Sequence, residues 1–241
     1  MTLLLQQTLV VMPAFNEAAS VAAVIREVFE TLPRVSILVV DDGSTDLTAD
    51  RARAAGALVA TLPFNLGVGG AMRTGFKYAK ANGFDNVVQI DSDGQHDPAS
   101  VPRMLSELGS ADMVIGARFA GEGDYVVGGP RQWAMKVLAL VLSKTAGTRL
   151  TDTTSGFRAS GPKCVALFAD HYPAEYLGDT IEALVIAARF GCIIRQVPVS
   201  MRVRASGVPS HNPFRAAAYL GRVGIALVFA LARPASTLPR T

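Results

Sequence analysis

The sequence predicts an α/β fold in which helices cover both faces of a mostly parallel sheet. Short apolar runs rich in β-branched residues alternate with longer helical segments, which is typical of such sheets. With 241 residues, of which 50% are hydrophobic, the chain can bury one large core. The expected strands are 9–12, 37–40, 57–60, 87–90 and 113–115. The expected helices between them are 18–32, 48–55, 68–82 and 99–108.

These strands are expected to be buried on both faces, because their apolar residues do not alternate with polar ones. The first helix is expected to bury a single stripe, since its apolar residues recur at i, i+3, i+4 and i+7. Those residues are Val21, Val24, Ile25 and Val28.

The second half of the chain is interpreted as an elaboration of the same domain. We expect one domain over residues 1–211, followed by an apolar helix and tail at 212–241. The predicted elements are a glycine-rich loop at 121–130, an apolar helix at 131–145, a loop at 151–156, a helix at 179–190, a strand at 193–199 and an apolar helix at 214–232.

Composition and charge exclude several classes of protein. Half of the residues are hydrophobic and 18% are charged, which excludes intrinsic disorder. The net charge of +3, from 23 basic and 20 acidic residues, is too small to indicate nucleic acid binding. Cys164 and Cys192 have neither metal-binding nor disulfide spacing, so a reducing cytoplasm is expected. We expect no signal peptide, and no apolar run reaches the ~20 residues of a membrane-spanning helix.

A pair of acidic residues follows the fourth predicted strand. Asp91 and Asp93 stand one residue apart, directly after an apolar run. Mg²⁺ and Mn²⁺ prefer oxygen ligands, and in proteins they are often coordinated by substrate phosphates as well as by carboxylates. This context favours a metal site over a simple turn. The neighbouring His96 is expected to form hydrogen bonds within the loop more readily than to bind the metal.

Acidic residues also follow the first two strands. Glu17 comes after the first strand, and Asp41, Asp42 and Asp46 come after the second. Ligands of parallel sheets bind at the carboxyl ends of the strands, where carboxylates can accept hydrogen bonds from a base or a ribose. Helix capping is the simpler explanation for Asp46. Capping does not account for two adjacent aspartates at the end of an apolar strand.

Several other catalytic motifs are absent or incomplete. The glycines at 67–70 resemble a dinucleotide-binding loop, but Met72 stands where that motif has its third glycine. The sequence also contains no P-loop, no H-E-x-x-H and no G-x-S-x-G motif. Dehydrogenases and P-loop enzymes are therefore disfavoured.

Six motifs occur in the order found in glycosyltransferase family 2, which the chain resembles over about residues 8–211. They are P-A-F-N-E at 13–17, D-D-G-S-T-D at 41–46, N-L-G-V-G-G-A at 65–71 with Gly75, D-S-D-G-Q-H-D-P at 91–98, G-A-R at 116–118 and D-T-T-S-G-F-R at 152–158. More narrowly, the chain resembles dolichyl- and polyprenyl-phosphate mannosyl- and glucosyltransferases. The resemblance implies a single GT-A type domain. It also implies metal-dependent, inverting transfer of a hexose or N-acetylhexosamine from a nucleotide diphosphate sugar to a polyprenyl phosphate.

The resemblance further implies roles for individual residues. The acceptor phosphate would meet Arg118 and Arg131, which form the catalytic set together with Asp91 and Asp93. The metal, Mg²⁺ or Mn²⁺, would be held by Asp91, Asp93 and Gln95. The donor would be bound by Pro13, Ala14, Phe15, Glu17, Val40, Asp42, Gly70, Asp91, Ser92, Asp93, Arg118 and Arg204.

One segment departs from the family pattern. Arg204 begins a stretch that resembles R-x-x-G-x-S-K, but an extra residue precedes the serine and His211 replaces the lysine. The charge at that last position therefore differs from the pattern. The family role of Arg204, closing over the donor diphosphate, is carried over to this chain as an expectation.

The expected partners are a UDP-sugar in preference to a GDP-sugar, a polyprenyl phosphate, and the membrane surface or a membrane-spanning subunit. The expected location is cytoplasmic, peripheral at the inner face of the membrane. A family 2 enzyme acting on a sugar hydroxyl stays open, with Glu122 or Asp124 as the base. A sugar-nucleotide pyrophosphorylase and a non-catalytic subunit of a membrane glycosylation complex are further alternatives.

Overall fold

The computed structural model of the chain describes residues 2–117, 142–144, 147–148, 150–173 and 179–202. Seven strands in this part of the chain form one sheet, in the order β3-β2-β1-β4-β6-β5-β7. They are β1 (Thr8–Ala14), β2 (Ser36–Asp41), β3 (Leu58–Thr61), β4 (Asn86–Gln89), β5 (Met113–Ala117), β6 (Arg158–Ser160) and β7 (Ile194–Pro198).

The sheet is mostly parallel, as predicted. β1 pairs in parallel with β2 and β4, β2 with β3, and β5 with β7. Only β6 runs in the opposite direction within this sheet, between β4 and β5. The chain therefore leaves the sheet at Ala117 and returns at Arg158 on the same edge.

Helices cover both faces of the sheet. α1, α2, α3 and α5 contribute to the core on one face, and α4, α6 and α7 to the core on the other. A 3-10 helix, Pro98–Ser100, precedes α5. The helices are α1 (Thr2–Gln6), α2 (Val21–Thr31), α3 (Thr48–Ala54), α4 (Gly67–Ala81), α5 (Val101–Glu107), α6 (Pro162–His171) and α7 (Asp179–Arg189).

The predicted buried stripe of the first helix is confirmed. Val21, Val24, Ile25 and Val28 of α2 are all buried in the core that includes the β1 and β2 side chains. Removing such groups from water contributes roughly 1.5–3 kcal/mol each, so this face fixes the helix against the sheet.

The prediction that every strand is buried on both faces is wrong for β3. Leu58 is 46% exposed, and Val59 and Ala60 are half-buried. β3 is the edge strand of the sheet and pairs only with β2. An apolar run does not reveal whether its strand will be central or peripheral.

Helix α4 packs unusually close to the sheet. A Cβ on Gly75 would stand 2.5 Å from Val11 Cγ1, so any side chain there would force the helix outward. The close approach fixes the middle of α4 on β1, and the start of α4, at Gly67, lies at the carboxyl ends of β1 and β2. This edge of the sheet contains the candidate site.

Several predicted features lie outside the described residues. They include the loop at 121–130, most of the helix at 131–145, the helix at 214–232 and the domain boundary at residue 211. Within the helix at 131–145, Leu142 is described and is buried in the core on the α4 side of the sheet. Across the described ranges, no helix is both long and apolar enough to span a bilayer.

Candidate active site

A cavity of about 510 Å³ opens at the carboxyl ends of β1, β2 and β4. This is the edge at which parallel sheets bind ligands, and the volume falls in the range of small-molecule sites. Its walls are formed by Pro13, Ala14, Phe15, Glu17, Asp42, Gly67, Val68, Gly69, Ala71, Gln89, Asp91, Ser92, Asp93, Thr154, Gly156 and Thr180.

Eight of the residues predicted to bind the donor lie on this wall. The structure does not bring Val40 or Gly70 to it: Val40 is buried in the core, and Gly70 faces the Leu66 side chain. Arg118, Arg131 and Arg204 lie outside the described residues. The eight are Pro13, Ala14, Phe15, Glu17, Asp42, Asp91, Ser92 and Asp93.

The loop after β4 brings two carboxylates to the cavity. The Asp93 side chain accepts a hydrogen bond from the Gln95 backbone N–H at 3.0 Å, while the Asp91 side chain stays 37% exposed. Ser92 Oγ donates to the Pro13 carbonyl at 3.1 Å, which ties the loop to β1. Gln95 thus contacts Asp93 through its backbone, and its side chain is not part of the cavity wall.

His96 forms hydrogen bonds within the same loop, as predicted. Its Nδ1 accepts the Asp91 backbone N–H at 3.0 Å. The ring is buried and stacks on Phe157, with the ring centroids 4.7 Å apart and the planes 10° apart. The histidine therefore links the loop, at the Asp91 backbone, to the buried Phe157 ring.

The chemistry of these donors suits a hard divalent cation. Mg²⁺ is typically bound through one or two carboxylates, with substrate phosphates and water completing the shell. Asp91 and Asp93 supply that number beside the cavity. Within the described ranges, no group of three His, Cys, Asp or Glu residues could hold a metal by itself.

The two aspartates at the end of β2 have separate hydrogen-bonding roles. The Asp42 carboxylate accepts the Leu66 and Gly67 N–H groups, both at 2.7 Å, and so caps the start of α4. Asp41 Oδ1 accepts the Ser44 N–H at 3.1 Å. Capping therefore accounts for more of this motif than the sequence indicated.

The surroundings of Asp42, which lies on the cavity wall, also shift the pKa of its carboxyl. Burial raises the pKa of its carboxyl, and the nearby charge of Asp41 acts in the same direction. The hydrogen bonds from Leu66 and Gly67 oppose this effect without cancelling it. A donor group that presents N–H at this point would favour the ionised carboxylate.

The loops after β1 and β2 are joined to each other. Asn16 adopts a left-handed conformation, with φ of 54°, and its Oδ1 accepts the Thr45 N–H at 2.9 Å. Thr48 Oγ1 accepts the Glu17 N–H at 2.9 Å, and Asp46 accepts the N–H groups of Ala18 and Thr48. The cavity residues Phe15 and Glu17 are therefore carried on a loop that is braced by its neighbour.

The glycine-rich segment begins α4 at the cavity. Gly67 has φ of 80°, which a residue with a side chain rarely adopts. Gly67, Val68 and Gly69 line the cavity with the first turn of this helix. N–H groups at a helix N-terminus favour anions such as phosphate. The segment thus differs from a dinucleotide loop in sequence, and also in that the Asp42 carboxylate already accepts the Leu66 and Gly67 N–H groups.

Arg158 holds the opposite wall. This buried guanidinium donates to the carbonyls of Ser155 at 2.9 Å, Thr153 at 3.1 Å and Thr180 at 2.7 Å. It thereby joins the loop before β6 to the start of α7. The residues that this arrangement places at the cavity are Thr154, Gly156 and Thr180.

Eight of the cavity residues were not predicted individually. Gly67, Val68, Gly69 and Ala71 belong to the N-L-G-V-G-G-A motif, so that motif was a signal for all four. Thr154 and Gly156 belong to the D-T-T-S-G-F-R motif, so the motif was a signal for both. Gln89 is a buried amide within the otherwise apolar run at 87–90, which is itself a signal of a polar role. Thr180 had no signal, because only the fold brings the start of α7 to this edge.

The sequence profile described as "Glycosyl transferase family 2" matches residues 9–164. The chain belongs to glycosyltransferase family 2. The matched stretch contains β1 to β6 and the cavity residues up to Gly156. The part of the chain that shows the family is therefore also the part that forms most of the cavity. The protein is an enzyme of the glycosyltransferase class.

Two bacterial proteins similar in sequence to this family 2 glycosyltransferase are named as enzymes that transfer mannose to a polyprenyl phosphate. It is 32% identical over 212 residues to an undecaprenyl-phosphate mannosyltransferase of Micrococcus luteus, covering 83% of this chain and 86% of that protein. It is 36% identical over 177 residues to a polyprenol monophosphomannose synthase of Mycolicibacterium smegmatis, covering 64% of this chain and 61% of that protein.

Solved structures share the architecture of this glycosyltransferase. Glucosyl-3-phosphoglycerate synthase of Mycobacterium tuberculosis, in complex with Mn²⁺, UDP and glucosyl-3-phosphoglycerate, superposes with a TM-score of 0.71. The two are 27% identical, and the match covers 94% of this chain and 80% of that chain. The same synthase has been solved with Mg²⁺ and UDP, at 26% identity. The GT-A type fold is thereby confirmed.

Proposed function

We propose that this glycosyltransferase moves a hexose or N-acetylhexosamine from a nucleotide diphosphate sugar to a polyprenyl phosphate. The observation that carries the proposal is the pair Asp91 and Asp93 on a cavity at the carboxyl ends of the strands. The names of the two bacterial relatives support the acceptor class. A relative from Methanococcus voltae, 26% identical, is a UDP-N-acetylglucosamine–dolichyl-phosphate transferase, which supports the same acceptor chemistry with another sugar.

On the donor side, the loops after β1 and β2 would bind the nucleotide. The exposed Phe15 ring offers a surface on which a base can stack, and Glu17 and Asp42 offer acceptors for N–H or hydroxyl groups. The start of α4 would face the diphosphate. Pro13, Ala14 and Ser92 complete this wall. We propose UDP in preference to GDP, which the UDP-bound structural neighbours support.

Asp91 and Asp93 would hold Mg²⁺ or Mn²⁺, with Gln95 as a further candidate ligand. When bound, the cation supplies Lewis-acid stabilisation of the negative charge that develops on the leaving nucleotide diphosphate. The carboxylates keep their positions because Ser92 fixes the loop to β1 and His96 supports it from behind. Arg204 is proposed to add positive charge on the open side of the diphosphate.

The acceptor requires positioning more than activation. A phosphate monoester is largely dianionic at neutral pH, since its second pKa is ~6. It can attack without a base when arginines orient it, and guanidinium groups bind phosphate with two parallel hydrogen bonds. We propose Arg118 and Arg131 for this role. Attack opposite the leaving diphosphate would invert the anomeric centre.

We propose that the enzyme works as a peripheral protein at the cytoplasmic face of the membrane. The lipid-linked acceptor requires the cavity to approach the membrane surface. The apolar segments at 131–145 and 214–232 are candidates for that contact, or for docking against a membrane-spanning subunit. Leu142 belongs to the protein core, so the first segment would offer only its remaining residues.

A transfer assay tests the proposal. Radiolabelled UDP- and GDP-sugars are supplied with polyprenyl phosphate vesicles and Mn²⁺, and the label in the butanol-extractable lipid is counted. We expect lipid label that is lost with a chelator and restored by added Mn²⁺. The matched control vesicle contains the free polyprenol. No lipid label with any donor would refute the proposed acceptor, and transfer that a chelator leaves unchanged would refute the metal.

A second function is transfer to a hydroxyl group. The likeness to a synthase solved with glucosyl-3-phosphoglycerate favours it, because that sugar is linked through a hydroxyl. This reaction would need a base, for which Glu122 and Asp124 are the candidates. In the same assay, label that appears on free polyprenol or on a soluble acceptor would favour the hydroxyl reaction. A non-catalytic subunit would give no label on any acceptor.

A further inference from the structure

The Asp91 carboxylate is contacted on both of its oxygens by buried side chains. Gln89 Nε2 donates to Oδ1 at 3.1 Å. His96 Nε2 lies 3.6 Å from Oδ2, while His96 Nδ1 accepts the Asp91 backbone N–H. Because Nδ1 is an acceptor, the proton of the neutral ring lies on Nε2, on the side of the carboxylate.

Both contacting side chains are themselves fixed. Gln89 is 5% exposed and lies in the centre of the sheet, paired with Arg158 of β6. A Cβ on Gly156 would stand 3.0 Å from Gln89 Nε2, so the backbone of Gly156 lies close beside the amide. His96 is 3% exposed and is stacked on Phe157.

The backbone on either side of His96 is also tied down. His96 forms an antiparallel bridge with Met201, and the Arg202 N–H donates to the Gln95 carbonyl at 3.0 Å. The Arg202 guanidinium contacts Asp97 at 3.0 Å and Glu27 at 2.5 Å. The loop that carries Asp91 is therefore anchored to α2 and to the segment after β7.

We infer that Gln89 and His96 are positioning residues that orient the Asp91 carboxylate for a divalent cation before the substrate arrives. The inference rests on the proposed metal role of Asp91. Side chains that orient a metal ligand typically change metal affinity by about 10- to 100-fold when they are replaced. Each Asp91 oxygen keeps a free lone-pair direction, because a carboxylate oxygen can accept two contacts.

The test measures Mn²⁺ binding without turnover. Mn²⁺ is titrated into the protein with UDP present, and the EPR signal of free Mn²⁺ gives the dissociation constant. Gln89→Leu removes the donor at similar size, and His96→Phe keeps a ring that can stack on Phe157. The matched control is His171→Phe, since His171 stacks on Phe190 at 5.9 Å, away from the cavity. Asp91→Asn gives the reference loss.

We expect Gln89→Leu and His96→Phe each to raise the Mn²⁺ dissociation constant about tenfold or more, and His171→Phe to leave it within twofold. His96→Asn should recover part of the loss, because its amide oxygen can accept the Asp91 N–H. Thermal melting establishes that each variant is folded. The double variant, Gln89→Leu with His96→Phe, tests whether one residue compensates for loss of the other.

Two results would overturn the inference. Mn²⁺ affinity within twofold of wild type in folded Gln89→Leu, His96→Phe and the double variant, with Asp91→Asn impaired, would show that Asp91 needs no orienting partner. Normal affinity in Asp91→Asn would remove the ligand that they are said to orient. Neither result depends on the lipid acceptor, so failure of the proposed transfer reaction is detected separately.

Discussion

Gly156 lies so close to Gln89 that a Cβ at residue 156 would stand 3.0 Å from Gln89 Nε2. The same Cβ would be 3.3 Å from Asp91 Oδ2. We predict that Gly156→Ala lowers the transfer rate about tenfold or more, because both side chains must shift, and a small misplacement at a reaction centre can cost 10²-fold.

The fold should tolerate this change. Gly156→Ala is expected to alter the free energy of unfolding by less than about 1 kcal/mol, since the displaced groups are side-chain ends and alanine restricts the unfolded chain. Gly109→Ala is the matched control, because its nearest neighbour would be 3.5 Å away. Unchanged transfer in folded Gly156→Ala would contradict the requirement for this close approach.

The carboxylate pair gives the second prediction. Asp93→Asn is expected to reduce transfer to below a tenth of wild type while the protein stays folded, because a neutral amide is a poor ligand for a hard cation. Asp91→Asn should also be severe. Initial rates at saturating Mn²⁺ measure the effect, with the exposed Asp85→Asn as control. Retention of more than a tenth of the activity by Asp93→Asn would count against a cation held at this pair.

Helix α4 gives the third prediction. Asp42→Ala removes the acceptor of two N–H groups in the first turn and should destabilise the protein by about 1–2 kcal/mol. Asp42→Asn keeps one acceptor and should fall between alanine and wild type. Urea denaturation measures both, with the exposed Asp85→Ala as control. A loss below ~0.3 kcal/mol in Asp42→Ala would show that the cap contributes little.

The fourth prediction concerns pH. Burial acts to raise the pKa of Asp46, but hydrogen bonds from Thr48 and Ala18 and the charge of Arg51 outweigh it, so the folded-state pKa is lowered. A lowered carboxyl pKa stabilises the fold above the unfolded value of ~3.9, and this stabilisation is lost as pH falls through the folded value.

Asp46→Ala should therefore cost about 1 kcal/mol at pH 7, as for other capping residues, and progressively less below about pH 4. Urea midpoints measured from pH 7 down to pH 3 give this difference. Asp50→Ala is the control, since Asp50 forms only an exposed ion pair with Arg53. A difference that stays constant down to pH 3 would mean that the charge of Asp46 contributes nothing.

The acceptor side gives the fifth prediction, which concerns residues outside the described ranges. Arg118 also stands in the predicted donor set, but we propose that it acts chiefly on the acceptor. Arg118→Ala and Arg131→Ala are therefore expected to bind the nucleotide sugar as wild type does and to transfer it at least tenfold more slowly. Calorimetry gives donor affinity, and single-turnover assays give the transfer rate. Arg103→Ala, on the exposed side of α5, is the control. Reduced donor affinity with normal turnover at saturation would move that arginine to the donor side.

The central strands could be predicted because the residues that form them are apolar without alternation. Val10, Val39, Val88 and Val114 lie in strands with neighbours on both sides, and burial matches the pattern. A similar apolar run at β3 led to a wrong prediction of burial. β3 pairs only with β2, and the position of a strand at the side of the sheet is decided by the topology. β6 has just three residues and no apolar period, so no local signal revealed it.

Part of the site could also be predicted, where its residues directly follow a predicted strand. The D-x-D spacing of Asp91 and Asp93 is common, but both directly follow an apolar strand, and this context was sufficient to place them at the strand end where the cavity lies. The second role of Asp42 could not be foreseen, because its partners Leu66 and Gly67 come from a loop 24 and 25 residues away. Thr180 likewise reaches the cavity only through the position of α7.

The single reversed strand has an evolutionary consequence. Because β6 runs against its neighbours, the chain departs from the sheet at Ala117 and re-enters at Arg158 beside the cavity. The stretch between them therefore begins and ends at the same edge of the sheet. A connection between two points on one edge can change in length without changing the register of any strand. Residues 119–141, which follow the G-A-R motif and precede the buried Leu142, can therefore change in length while the sheet and the cavity residues Thr154 and Gly156 keep their places.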